Sequence, residues 1–149
     1  MSQDPKATQA DIIAEFEFFD DWMDKYQHLI DLGRQMPAFP DALKTDDNIL
    51  KGCQSNVWFV STGDRDELVF QATSDAAIVS GLIALLLKIY SGASAQAIVD
   101  TPADFIDAIG LSQHLSATRA NGLSAMLERI QATARSALAA EGPSPDRAS

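Results

Sequence analysis

The chain has 149 residues, with 11 Lys and Arg against 21 Asp and Glu for a net charge of -10, and it is 46% hydrophobic and 21% charged. Such a length buries one core rather than two, and the composition is that of a packed globular fold, not of a disordered, collagen-like or membrane-spanning chain. The negative charge repels phosphate backbones and anionic lipid heads, and no basic cluster offsets it locally, so neither nucleic acid nor a membrane is expected as a partner.

The polar start MSQDPKATQAD lacks the basic and apolar regions of a secretory signal, and one cysteine permits no internal disulfide; a cytoplasmic protein is expected. From Ile12 the large apolar residues Ile12, Phe16, Phe19, Met23, Tyr26 and Ile30 alternate gaps of four and three, which predicts a helical face ending at Gly33. Asp20 and Asp21 stand where a second N-cap would lie, so two helices meeting at an angle are predicted. The acids Asp11, Glu15, Glu17, Asp20, Asp21, Asp24 and Asp31 crowd this part of the chain and read as a solvated helical face. Met36 to Asp47, with Pro37 and Pro40, reads as an extended connection.

Next come two runs rich in β-branched and aromatic residues, Asn56 to Thr62 and Glu67 to Thr73, joined by Gly63-Asp64-Arg65-Asp66. They predict a β-hairpin, which requires a short third strand near Ile49 to Lys51, or helices on one face, to be stable. Ser74 and Asp75 offer N-cap oxygens to an apolar helix from Ala76 to Tyr90, expected to be buried nearly all round and too short and interrupted to span a bilayer. Ser94 caps a short helix to about Val99, and Thr101-Pro102-Ala103-Asp104 predicts the start of another that runs to Gly110. From Ala117 the spacing of Leu123, Met126, Leu127, Ile130, Ala134, Ala137 and Leu138 predicts a long last helix, followed by a tail from Glu141. The fold class is therefore α+β, a small antiparallel sheet of about three strands with helices over one face.

Cys53 is the only thiol. It lies in Lys51-Gly52-Cys53-Gln54-Ser55-Asn56, with glycine before it and polar residues after it, as suits a thiol presented on a loop; small core packing is the other reading of a lone cysteine. One Cys and two His, His28 and His114, offer no ligand pair at metal-binding spacing, and the scattered glycines form no phosphate loop. No cofactor is expected on this chain. His28, among charged residues, reads as solvated, whereas His114, just before Ser116-Ala117-Thr118-Arg119, suits either a capping region or a site shared with Arg119.

The run Gly52-Cys53-Gln54-Ser55-Asn56-Val57-Trp58 resembles the SufE/CsdE family of sulfur-acceptor proteins. Trp22 with Lys25-Tyr26, Leu32-Gly33, Ser74 to Val79 with Gly81-Leu82, His114-Leu115-Ser116, Arg119 and Gly122-Leu123 extend the likeness in family order. It covers about residues 10–140, leaving 1–9 as an extension and 141–149 as a flexible tail. The resemblance implies a fold shared with cluster scaffolds of the IscU type, and Cys53 as the residue that takes sulfur from a cysteine desulfurase of the SufS or CsdA kind. Pyridoxal phosphate would belong to that partner, and a downstream iron–sulfur scaffold would receive the sulfur. Asp75 and Arg119 match motif positions that could shape the cysteine pocket, although a helix cap and a first-turn surface residue explain them as well.

The residue types agree with that chemistry, because thiol–persulfide exchange requires a nucleophilic sulfur and little else. Gly52 supplies a hinge, and Val57, Trp58 and Phe59 an apolar cover, for a loop that rests inward and swings out when the partner docks; a permanently exposed loop thiol, which the polar Gln54 to Asn56 suit as well, is the other reading. The competing functions are a cysteine-nucleophile hydrolase using Cys53 with His114, and a cluster scaffold, which a single cysteine opposes.

Overall fold

A computed structural model describes residues 4–50 and 56–140. Helix α1 (Pro5–Phe16) starts ahead of the apolar spacing at Ile12, with Asp4 as N-cap accepting from the Lys6 N–H at 3.0 Å and proline in the first turn. Helix α2 (Trp22–Arg34) is separate, as the paired aspartates predicted: the Asp21 carboxylate accepts from the Asp24 N–H at 2.9 Å. This break resets the helical phase. The inward stripe of α2 is Trp22, Tyr26, Leu29 and Leu32, so Met23, expected on the apolar face, stands in solvent.

The connection after α2 holds two single 3-10 turns, Asp41–Leu43 and Asp46–Asn48, braced by the Asn48 amide on the Leu43 carbonyl at 2.8 Å. Strands β1 (Val57–Asp64) and β2 (Glu67–Ser74) then pair antiparallel in the register Val57 opposite Ser74 to Asp64 opposite Glu67. Gly63, at φ +98°, has room for no Cβ against Glu67, and the Asp64 carboxylate accepts from the Asp66 and Glu67 N–H groups, which turns the chain. Among the described residues the expected third strand is reduced to one bridge, Ile49 to Trp58, beside a Leu50 N–H to Val57 carbonyl bond of 2.8 Å. Leu68 is similarly bridged to Ala93 on the other edge.

The inner sheet face, Val57 and Phe59 with Leu68, Phe70 and Ala72, packs on helix α3 (Ala77–Tyr90), which is buried through Gly81 to Leu86 as its composition demanded. Helices α2 and α3 lie side by side and run the same way. Gly33 meets Ser80 and Gly81, and Leu32, Gln35 and Met36 border one groove with Ala84, Leu87 and Lys88. A Cβ on Gly33 would fall 2.8 Å from the Gly81 nitrogen, so the two glycines are what permits this approach.

Helices α4 (Ala95–Val99), α5 (Phe105–Ile109), α6 (Leu111–His114) and α7 (Ala117–Ala140) complete the chain. Ser94 caps α4 as predicted, accepting from the Ala97 N–H at 3.1 Å. The expected cap at Thr101 is corrected: its hydroxyl donates back to the Ala97 carbonyl at 2.7 Å and closes α4, while α5 begins only at Phe105. Buried Gln9 of α1 secures that junction, donating to the Pro102 carbonyl and accepting from the Phe105 N–H. Gly110, at φ +93°, turns α5 into α6, and α7 buries Leu123, Met126, Ile130 and Ala134 at the predicted spacing. Among the described residues no helix is long and apolar enough to cross a membrane.

Candidate functional site

Cys53 and Gly52 lie outside the described residues, but the two ends of their segment are well defined. Leu50 and Val57 are joined backbone to backbone, and Ile49 and Trp58 bridge beside them. The residues on either side of 51–55 therefore form a closed base. Leu50 and Val57 are buried, so the base is anchored in the core, while Asn56 is exposed beside it.

Asp75 belongs to this base and is not the helix cap that its position suggested. Its carboxylate accepts from the Asn56 side-chain amide at 3.0 Å, and its N–H donates to the Asn56 carbonyl at 3.4 Å. The N-cap of α3 is Ala76, with no side-chain cap bond; the Ser74 hydroxyl instead accepts from the Ala76 N–H at 3.2 Å. The last residue of the Gly52 to Asn56 run is thus tied to the junction of β2 and α3. A cation stands near the same base: the Lys44 ammonium lies 5.7 Å from the centre of the Trp58 ring, and 3.8 Å from Asp41.

His114 stands exposed at the end of α6. The imidazole of His114 stacks on the Trp22 indole at 3.9 Å and 17°, its Nδ1 donates to the Gly110 carbonyl at 3.1 Å, and its carbonyl accepts from the Tyr26 hydroxyl. Lys25 lies over the Trp22 ring at 4.9 Å. These contacts clasp α6 to α2 and give His114, Trp22, Lys25 and Tyr26 a structural part. Arg119 is exposed in the first turn of α7, where its N–H donates to the Ser116 hydroxyl at 3.2 Å. The solvated reading of His28 is also corrected: the ring packs between Phe16 and Phe19, at 5.1 and 4.9 Å, and is paired with Glu15.

Sequence reading missed Asn56 as a partner of Asp75, although the residue stands in the same polar run as Cys53. Its signal was only its position at the strand entrance. Among the described residues no group of three His, Cys, Asp or Glu side chains is placed to hold a metal ion.

A two-stranded antiparallel sheet backed by helices on one face defines the class, and comparison with known proteins supplies the family. The model of the SufE family, described as an Fe-S metabolism associated domain, matches residues 10–134. The chain belongs to that family. An uncharacterized SufE-like protein of Rhizobium meliloti is 44% identical over 134 residues, covering 87% of this chain and 96% of the relative. Another from Rhizobium etli is 40% identical over 129 residues, 83% of this chain and 87% of the relative. The solution structure of a hypothetical protein from Thermus thermophilus has the same fold, with a TM-score of 0.72 at 22% identity over 89% of this chain and 96% of that one.

Proposed function

We propose that Cys53 accepts persulfide sulfur from a pyridoxal-phosphate-dependent cysteine desulfurase of the SufS or CsdA type and passes it to an iron–sulfur scaffold in the cytoplasm. The observation that carries this reading is the placement of the only thiol, in a family chain associated with Fe-S metabolism, between two anchored residues, Leu50 and Asn56.

The transfer is a displacement at sulfur. The Cys53 thiolate attacks the terminal sulfur of the desulfurase persulfide; a new S–S bond forms on Cys53, the donor S–S bond breaks, and the donor cysteine leaves as thiolate. The electron pair moves from Cys53 to the donor sulfur, so no external oxidant or reductant takes part. A free thiol with a pKa of about 8.5 is mostly protonated at neutral pH, and a nearby cation raises its thiolate fraction.

The test uses cysteine labelled at sulfur, the desulfurase and this protein. Label is expected on the peptide containing Cys53, as an added sulfur that reductant removes. Label confined to the desulfurase, with its turnover still raised, would make this protein an activator and not a carrier.

A further inference from the structure

Phe18 and Met23 are the large apolar side chains left most open among the described residues, at 85% and 80% exposure. They flank the turn between α1 and α2, and that turn is ordered. The Phe18 and Phe19 N–H groups donate to Glu15 and Phe16, Asp21 caps α2, and Phe19 turns inward against Phe16 and His28. Turning Phe19 against Phe16 and His28 sends its neighbour Phe18 outward, so the exposure is built into the corner.

Glu15, Glu17, Asp20, Asp21 and Asp24 crowd the corner in sequence, where Glu15 pairs with His28 and Lys25, over the Trp22 ring, is the one nearby cation in the run from Ala7 to Lys25. An apolar knob with an acidic rim selects its occupant by charge. Anionic lipid and nucleic acid are repelled, and a second copy would set acid against acid; a protein with an apolar socket and a basic rim is complementary.

The corner also stands at the end of the molecule that carries the cysteine segment. Because α2 and α3 run in the same direction, the start of α2 lies at the same end as the start of α3, where Asp75 holds Asn56. A five-residue connection alone offers far less than the roughly 800 Å² per partner of a specific interface, so a docked desulfurase must grip further surface.

We infer that the Phe18–Met23 corner is a second docking contact for the desulfurase, seated in a basic-rimmed apolar socket of that enzyme; this rests on the sulfur-acceptor reading above. The test titrates this protein into the desulfurase of the same organism and reads the half-saturating concentration separately from the maximal turnover. For F18S/M23S, whose changed side chains are exposed, the half-saturating concentration is expected to rise about tenfold with the maximal turnover unchanged. D20K/D24K should raise it as well and flatten the salt dependence shown by the native chain. Circular dichroism of both variants and the unfolding midpoint of F18S/M23S should match the native protein, whereas D20K/D24K, which places lysine in the first turn of α2, should unfold slightly more easily. Equal half-saturating concentrations for native and F18S/M23S, with the native protein active, overturn the docking contact alone. A native protein that neither stimulates the desulfurase nor takes its sulfur overturns the sulfur-acceptor reading and the contact with it.

Discussion

Asn56 and Asp75, separated by 19 positions in sequence, are joined side chain to side chain at 3.0 Å and again through the backbone at 3.4 Å. The pair fastens the exit of the cysteine segment to the start of α3. Both residues are exposed, so the bond contributes little to global stability but sets where the segment leaves the sheet. Asn56→Ala and Asp75→Ala should each cost less than about 1 kcal/mol in denaturant unfolding. Each should also change the alkylation rate of Cys53 in the same direction, and the double variant should add little to either single one. Additive effects on that rate would mean that the two side chains act separately.

If Cys53 has the proposed role, Cys53→Ser should fold with native stability and lose acceptor function. Stimulation of the desulfurase equal to the native protein's would sink the proposed role. A stability loss above about 2 kcal/mol would identify a buried structural cysteine instead.

Shielding of the thiol in the free protein gives a separate expectation. Alkylation of Cys53 should be slow alone and faster with a desulfurase whose own active cysteine has been replaced. Fast alkylation that the partner slows would mean simple occlusion by the docked enzyme.

The α2–α3 crossing predicts an intolerance to one methyl group. A Cβ on Gly81 would collide with the Leu29 carbonyl, and one on Gly33 with the Gly81 nitrogen. Gly81→Ala should destabilise the chain by about 2–3 kcal/mol, as overpacking against backbone does, despite alanine's better helix propensity. An unchanged denaturation midpoint would show that the helices can part at no cost.

Tyr90 sets an alkaline limit. Its phenol, fully buried and donating to the Thr101 carbonyl at 2.8 Å, is pushed up from 10.0 to about 12, chiefly by burial and then by the negative charge of Asp104, with a hydrogen bond from Gln131 opposing. The folded state therefore holds a proton that the unfolded state releases. This contribution is complete below about pH 10 and is lost as pH rises towards 12, a fall of roughly 2–3 kcal/mol. Tyr90→Phe should be less stable at neutral pH by about 1 kcal/mol, through the lost bond to Thr101, yet decline less steeply with alkali. Parallel alkaline profiles for the two proteins, followed by denaturant unfolding, would contradict this.

Helical spacing, the hairpin and the long last helix were legible in the sequence because each depends on residues a few positions apart, and the paired aspartates at 20 and 21 marked the break between α1 and α2 for the same local reason. The candidate thiol was legible through its flanking motif, which is a likeness to a family and not a consequence of periodicity. Tertiary structure decided the rest. Asp75 looked like a cap because its sequence neighbours are a serine and a helix, and only the hairpin brings Asn56 to it. His114 reaches Trp22 across most of the chain, and the phase reset at Asp21 exposes Met23 by rotating α2 towards Gly81. Local order follows from backbone torsions and apolar spacing, whereas partnerships between polar or aromatic groups distant in sequence exist only after the core has chosen how its helices and sheet pack.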